Sequence, residues 1–562
     1  PGLGGNGTWQ NEVGSWDPAS QAVFGGTAGS VAASGTVTTS NGIAFVTSGY
    51  DVSGGTISLA GATAGANSLD VTNAAAATIS SVLSGSAGFT KNGGGTLVLA
   101  GVNTFSGNVS VANGTLQIAT DSALGDAAND LVLNGTLRTT NSISLGSGRD
   151  LSGSATLDIA GASTLTVNGA LSASATTLAN SGTLDLQGST RSAGALAINA
   201  PATLQAAGAV SVSSLSASGL TNGTATIKSE IVYSSVGDKT LDVGAGGNLN
   251  LGATISGTTG RIAKTGSGTL SLADNTTGGL RVGASGSSPT QGGTIILQNN
   301  NSAGSGQIQL NYGTLKTDAT AGIVATNGFS IGGRTGAAAV FGGANDMSFS
   351  GTNSFFRGTG TSGEFRIDAN NKTTLSGPWS ATSGGGTATG ITIGGSGVLA
   401  LSGNGSLLTE TITLTDTATL ALDGSLGGSV VASSGTTIGG DGSIAGSLSL
   451  LAGAKFTFDL NKTLSVNGAS VSFGGFGVNN LVGLDNSVAS GTYKLIDGLA
   501  TFNTANLNNL GAENAYDLGN GKSAYFSIGS LDVNVVPEPS TYAMLAMAGI
   551  GFAGYIVRRR RR

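Results

Sequence analysis

The stretch that decides the fold is Gly93-Gly94-Gly95-Thr96-Leu97-Val98-Leu99, a glycine corner followed by a short run in which every second residue is apolar. Alternation with a period of two is typical of a strand that buries one face. The same pattern, a Gly, Ala, Ser or Lys followed by Thr and then Leu or Ile, recurs along most of the chain. The copies are Gly114-Thr115-Leu116, Gly135-Thr136-Leu137, Ala155-Thr156-Leu157, Gly182-Thr183-Leu184, Ala202-Thr203-Leu204, Gly268-Thr269-Leu270, Gly293-Thr294-Ile295, Gly313-Thr314-Leu315, Ala418-Thr419-Leu420 and Lys462-Thr463-Leu464.

The spacing of the copies indicates a solenoid. Leu97, Leu116, Leu137 and Leu157 follow one another at steps of 19, 21 and 20 residues. A period near 20 lies in the range in which one repeat forms one coil. Because a single coil cannot bury its apolar face alone, coils stack and place Leu on Leu along parallel sheets. The sequence therefore predicts an all-β fold, a right-handed parallel β-helix; antiparallel sandwiches or a propeller are the alternative.

The composition excludes several classes of function. The chain has 562 residues, of which 98 are Gly, and it contains no Cys and no His. This removes disulfides, Ser-His-Asp triads and nearly all zinc, copper and haem sites. The net charge is −6 although five of the 23 basic residues form one C-terminal block, so the body is acidic and lacks a nucleic-acid footprint. We therefore expect no cofactor, no nucleic-acid partner and no enzymatic activity.

Aromatic residues concentrate at the two ends of the body. Five lie in residues 1–50 and nine in residues 456–526, against four in residues 51–328. Because the open ends of a solenoid aggregate unless they are covered, we interpret both ends as caps; less regular coils are the alternative. The predicted organisation is listed by range: 1–85 for the N-terminal cap and first coils, 86–455 for the repeats, 456–533 for the last coils and C-terminal cap, and 534–562 for a tail.

The tail combines a proline motif, an apolar run and a basic block. Val536, Pro537, Glu538, Pro539 and Ser540 form the motif, and its prolines should end the last strand. Residues 540–557 would reach about 27 Å as a helix, close to the roughly 30 Å of a hydrocarbon core, which predicts a single transmembrane helix. The predicted anchor residues are Tyr542, Met544, Leu545, Met547, Ile550, Phe552, Tyr555, Ile556 and Val557, and the predicted cytoplasmic stop is Arg558, Arg559, Arg560, Arg561 and Arg562.

Two resemblances follow from these residues. Lys91 to Leu99 with Asn103-Thr104-Phe105-Ser106-Gly107 resembles the autotransporter-associated β-strand repeat, and Lys264 to Leu272 resembles its first half. The tail is similar to the PEP-CTERM sorting signal. The second resemblance implies an exosortase-type partner, a transient inner-membrane anchor, and final placement on the surface or in the extracellular matrix of a Gram-negative bacterium. Together they imply an exported structural or adhesive protein.

The alternative is a β-helix lyase, glycosidase or binding module that acts on extracellular polysaccharide. Glu364, Arg366 and Asp368 alternate on one strand, as a sugar site would require, and an exposed strand face is the competing interpretation. The run from Gly439 to Ile444 is similar to a calcium-binding nonapeptide repeat. Since only one copy occurs, we interpret this run as a corner.

Overall fold

The computed structural model describes residues 4–10, 17–283, 292–318, 322–332, 338–357, 363–380, 383–384, 388–527 and 531–538. The chain divides into two compact units. The first comprises Pro1–Leu280 with Gly293–Gly304, and the second comprises Arg281–Gly292 with Ser305–Arg562. Each unit is all-β and is built mainly from short parallel strands. The prediction of an all-β parallel solenoid is therefore confirmed.

Each coil of the first unit has three sides. The consecutive strands Leu131–Leu133, Thr136–Thr139 and Ile143–Leu145 each pair with the strand one coil later, as Leu131 with Leu151, Leu137 with Leu157, and Ile143 with Leu165. All three pairings are parallel and join residues 20 to 22 positions apart, so one repeat forms one coil, as the Leu spacing predicts. Two neighbouring sides merge where a strand turns the corner without a break, as in Leu151–Ile159.

The strands of the first unit are given by side. The first side has Gly7–Trp9, Ser30–Ala33, Tyr50–Ser53, Ala76–Ile79, Thr96–Leu99, Thr115–Ile118, Thr136–Thr139, Lys239–Asp242 and Ile262–Thr265. The second has Ala22–Phe24, Ile43–Phe45, Ser68–Val71, Phe89–Asn92, Val109–Val111, Leu131–Leu133 and Ile231–Tyr233. The third has Thr36–Thr39, Thr56–Leu59, Val82–Gly85, Ile143–Leu145, Thr164–Val167, Thr183–Leu186, Thr203–Ala206, Thr224–Ile227 and Thr294–Leu297. Strands that span two sides are Leu151–Ile159, Leu171–Leu178, Arg191–Ile198, Val210–Ser216, Asn248–Ser256 and Thr269–Asn275, and a 3-10 helix covers Asp121–Leu124.

The second unit repeats the three-sided plan, and Leu280–Val282 lies at the boundary between the units. Its first side has Ile308–Leu310, Phe329–Gly332, Ser354–Arg357, Ser383–Gly384, Asn404–Gly405, Ser425–Leu426, Ser443–Ile444, Leu464–Val466 and Gly491–Asp497. The second has Gly313–Thr317, Ala339–Gly343, Gly363–Ala369, Ala388–Gly394, Ile412–Leu414, Val430–Ala432, Leu448–Leu450, Ser470–Phe473 and Thr501–Asn503. The third has Ile323–Ala325, Met347–Phe349, Lys372–Leu375, Val398–Leu401, Thr419–Leu422, Thr437–Gly439, Lys455–Thr457 and Leu481–Val482, and 3-10 helices cover Val478–Asn480 and Ala512–Asn514.

The core is the column of inward side chains that the repeat predicts. Leu97 lies in register with Leu116, Leu116 with Leu137, and Leu137 with Leu157. All four are at most 1% exposed. Burial of one such side chain stabilises the fold by about 1.5–3 kcal/mol, so each coil depends on the coils on either side of it.

The glycine corners allow neighbouring coils to approach closely. Gly93 has a φ of +73°, and a Cβ at this position would overlap the carbonyl oxygen of Val71 in the preceding coil. Both constraints exclude residues with a side chain. The first Gly of the motif is therefore needed for the coil to turn and stack.

Aromatic side chains pack together near the N-terminus. The ring of Phe24 lies 5.5 Å from that of Trp9 and 5.0 Å from that of Phe45, measured between centroids. The Tyr50 hydroxyl donates to the carbonyl oxygens of Gly25 and Thr27, at 2.6 and 2.8 Å. These contacts tie the first described coils together. The domain boundaries proposed from the sequence and the handedness of the coil stay predictions.

The parallel pattern ends in an antiparallel sheet, which we call the closing sheet: Gly491–Asp497, Leu531–Pro537, Lys522–Ser527 and Tyr516–Gly519, in that spatial order. Its first strand also pairs in parallel with Leu464–Val466 of the last coil. The closing sheet thereby covers the edge that this side of the solenoid would otherwise expose.

Candidate functional site

The sorting motif begins inside the closing sheet. Val535 is 1% exposed and pairs with Gly491 on one side and Ala524 on the other. Val536 pairs with Ser523, and Pro537 pairs with Lys522. Since the strand on the Gly491 side has already ended, the missing N–H of Pro537 disturbs one ladder only. The strand ends at Pro537, as the sequence predicts.

Glu538 is also held by the body. Its backbone N–H donates to the carbonyl oxygen of Gly521, at 2.8 Å. Val536, Pro537 and Glu538 are all half-buried, so the first three motif residues lie against the fold and not on a free extension. The remaining motif residues Pro539 and Ser540, the predicted anchor and the Arg block lie outside the described residues. Within the described part of the chain, no helix has the length and apolar character needed to span a membrane.

The candidate polysaccharide site lies on the strand Gly363–Ala369. In this strand Arg366 pairs with Thr392, and Asp368 pairs with Val340 and Gly394. The Asp368 side chain is half-buried, whereas the side chains of Glu364 and Arg366 lie outside the described residues. The role of these residues as a ligand site stays a prediction. Nowhere in the described ranges do three or more acidic residues group in a way that could hold a metal ion.

Two lysines of the repeat, Lys91 and Lys264, are buried in the structure, a role that the repeat pattern alone does not predict. Lys91 is 0% exposed, and its Nζ donates to the carbonyl oxygens of Asn92, Gly93 and Asn113, at 2.7, 2.7 and 3.1 Å. The Lys264 ammonium is buried in the same way. It donates to the carbonyl oxygens of Thr265 and Gly266, at 2.5 and 2.7 Å.

Both lysines stabilise a glycine corner, where carbonyl groups turn inward and need donors. A signal for this role exists in the sequence, because each Lys stands five residues before the Thr of its Gly-Thr-Leu copy. Burial lowers the pKa of Lys91 to about 8, opposed by the charge of Asp70. It lowers the pKa of Lys264 to about 8 as well, opposed by Asp242.

We expect the protein to become more stable as the pH rises from 8 to 9.5. The unfolded chain keeps both lysines protonated up to about pH 10.5, whereas the folded chain releases the protons from about pH 8. The unfolded state therefore binds more protons in this window, and stability rises with pH. Guanidinium denaturation of the full chain in mild detergent, followed by circular dichroism at each pH, measures the midpoint.

The interval stops at pH 9.5 because burial raises the pKa of Tyr233. Near pH 10 the tyrosines of the unfolded chain lose their protons while Tyr233 in the folded chain keeps its own, so stability then falls as the pH rises. The control is the double variant Lys91→Met with Lys264→Met, in which the rise should disappear. A wild-type midpoint that stays flat or falls across the interval contradicts the prediction.

Two parts of the chain described above, the repeats with their buried lysines and the C-terminal motif, match known protein families. Residues 89–118 and 262–287, which include the two buried lysines, match the passenger-associated-transport-repeat family, and residues 535–562 match the PEP-CTERM protein-sorting motif. The chain is thus a parallel β-solenoid protein that carries autotransporter-associated repeats and a C-terminal PEP-CTERM motif.

One curated relative supports the same class. The chain is 39% identical over 148 residues to the Adhesin BmaC autotransporter of Brucella suis biovar 1 (strain 1330). The match covers 24% of this chain and 4% of the adhesin, so the similarity concerns a small part of that protein. No solved structure matches the chain.

Proposed function

We propose that this protein is exported and sorted to the cell surface or extracellular matrix, where it has a structural or adhesive, non-enzymatic role. The observation that carries the proposal is the PEP-CTERM match over residues 535–562, which starts in the last strand of a stacked body. The similarity of part of the body to an autotransporter adhesin supports the adhesive role. A stacked repeat with an acidic composition and only 9% charged residues suits contact with other surface polymers better than catalysis.

In this proposal the tail acts in two steps. Residues 540–557 span the inner membrane, and Arg558 to Arg562 stay in the cytoplasm. Insertion of one Arg at the bilayer centre costs about 2.5–3.5 kcal/mol, so five of them stop transfer of the chain. Exosortase-type machinery then recognises the motif Val536–Ser540, and processing near it releases the body.

Replacing Glu538 with Ala should trap the protein in the inner membrane with its tail uncut and its body outside. The substitution removes the motif carboxylate but keeps the backbone hydrogen bond that joins residue 538 to Gly521 in the closing sheet. Fractionation of cells that carry the sorting machinery, with mass spectrometry of the C-terminus, reports location and processing.

The matched control is Glu513→Ala, which removes an exposed carboxylate from a 3-10 helix in the same part of the chain. This variant should be sorted like the wild type. If Glu538→Ala shows the same location and C-terminal mass as the wild type, the tail is only a membrane tether and the sorting proposal fails.

A further inference from the structure

A polar groove crosses four coils of the second unit on its first side, with a volume of about 380 Å³. We call it the Gly–Ser groove. Three coils contribute the same arrangement, a polar residue, a Gly and a second polar residue. The lining residues are Ser402-Gly403-Asn404, Asp423-Gly424-Ser425 and Asp441-Gly442-Ser443, and the fourth coil adds Ser465.

Stacked glycines form the floor of the groove. A Cβ on Gly424 would overlap the carbonyl oxygen of Gly403, and a Cβ on Gly442 would overlap that of Gly424. The Ser443 N–H donates to the Gly424 carbonyl oxygen at 2.8 Å, so this floor is continuous parallel backbone. Because the middle position of three successive coils carries no side chain, an open channel runs along the stacking direction between the flanking polar residues.

One wall of the groove is acidic. Asp423 and Asp441 lie on adjacent coils, and the Asp441 N–H donates to Asp423 Oδ1 at 3.3 Å. Lys462 Nζ lies 2.6 Å from the same oxygen. Burial acts to raise the pKa of Asp423, but the hydrogen bonds with Lys462 and Asp441 and the charge of Lys462 outweigh it and lower this pKa. Asp441 is exposed, and its carboxylate lies beside that of Asp423 and near the Lys462 ammonium, so that it faces solvent from within this charged cluster.

The other wall is a ladder of neutral groups. Ser425 Oγ donates to Asn404 Oδ1 at 2.8 Å, and Ser443 and Ser465 continue the ladder on the next two coils. Hydroxyl and amide groups both donate and accept hydrogen bonds. Two carboxylates against one Lys leave the groove with a net negative charge, which disfavours an anionic ligand.

From this arrangement we infer that the Gly–Ser groove binds a neutral polysaccharide chain laid along the stacking direction. Coils repeat every ~4.8 Å, which is close to the length of one pyranose residue in an extended glycan, so successive coils present equivalent groups to successive sugars. Sugar hydroxyls would donate to the Asp441 carboxylate and exchange hydrogen bonds with the serines. The inference deepens the proposed function, on which it rests for a body that meets extracellular polymers.

The test measures binding of soluble neutral glucan oligosaccharides to the purified full chain in mild detergent by titration calorimetry. Alginate oligosaccharides serve as the anionic comparison. We expect binding of the neutral series only, weakened about tenfold or more by Asp441→Ala, since a hydrogen bond to a charged group is worth roughly that factor. Asp441→Asn should retain part of the affinity because its amide oxygen still accepts.

Asp185→Ala is the matched control, because it removes a half-exposed carboxylate from an outward strand position of the first unit. It should bind like the wild type, and all variants should keep the wild-type thermal midpoint. The inference is overturned if the neutral glycans do not bind, if alginate binds more tightly, or if Asp441→Ala binds as well as the wild type. The Glu538→Ala variant tests the sorting proposal separately. If the oligosaccharides become shorter during incubation with the protein, only the proposed non-enzymatic role is overturned.

Discussion

Replacing Arg149 with Leu will lower the free energy of unfolding of the first unit by about 4 kcal/mol. The Arg149 side chain is 0% exposed, and its Nε lies 2.9 Å from Asp121 Oδ1. Its terminal nitrogens donate to the carbonyl oxygens of Asn129 and Asp126, at 2.7 and 3.0 Å. Removing one partner of a buried, hydrogen-bonded ion pair costs about 3–5 kcal/mol, because the remaining groups lose their partners away from water.

The guanidinium also explains where the damage should appear. Asp121, Asp126 and Asn129 belong to the segment around the 3-10 helix Asp121–Leu124, one coil before Arg149. Without Arg149 we expect this segment to open first, so limited proteolysis should cut within residues 119–130 before the rest of the unit unfolds. Urea denaturation followed by circular dichroism measures the loss of stability.

Arg138→Ala is the control for the loss of an arginine. Its side chain is 41% exposed and forms an ion pair with Asp158 at 2.6 Å on the outer surface. Exposed pairs contribute about 0–1 kcal/mol. Similar effects of Arg149→Leu and Arg138→Ala would show that the buried guanidinium does not hold the segment.

Lys91→Met should lower the free energy of unfolding by about 3 kcal/mol at pH 7. Methionine has a similar length and fills the same space, but it leaves the carbonyl oxygens of Asn92, Gly93 and Asn113 without the donor that Lys91 supplies. Loss of a buried partner costs about 1–3 kcal/mol for each polar group, and relaxation of the corner recovers part of this. Chemical denaturation at fixed pH measures the change.

The comparison variant is Lys316→Met, which makes the same replacement at an exposed strand position. Surface changes of this kind usually stay within about 0.5 kcal/mol. An unchanged midpoint for Lys91→Met would mean that the corner satisfies its carbonyl groups without the ammonium, and the structural role of this repeat lysine would have to be abandoned.

The stacking of the coils was predictable because it is encoded locally. Leu97, Leu116 and Leu137 carry both periods in the sequence, two for the strand and about 20 for the coil, and the structure places them in register. The roles of Lys91 and Arg149 were not predictable in the same way. Their partners include carbonyl groups of neighbouring coils, such as Asn113 and Asn129, which become acceptors only once the coils have stacked.

The sequence contains a local signal for the closing sheet. Asn520 and Gly521 form a two-residue turn between Tyr516–Gly519 and Lys522–Ser527, with φ of +54° and +71°. Asn-Gly between two alternating runs is the strongest short-range hairpin signal. A search for regularly spaced hairpins misses a single one, so an antiparallel sheet at the end of a parallel solenoid was not predicted.

The attachment of Glu538 to the closing sheet limits how far the body could lie from the membrane under the proposed anchoring. Glu538 is the last residue with a described hydrogen bond to the body, and the apolar run begins at Ser540, two residues later. Fully extended residues span at most about 3.6 Å each, so the proposed anchor starts within roughly 7 Å of the sheet. Before the tail is cut, the second unit would therefore lie against the lipid headgroups, with no flexible linker between it and the anchor. A sorting enzyme would then have to cut the chain at the membrane surface. The new C-terminus would lie close to the closing sheet.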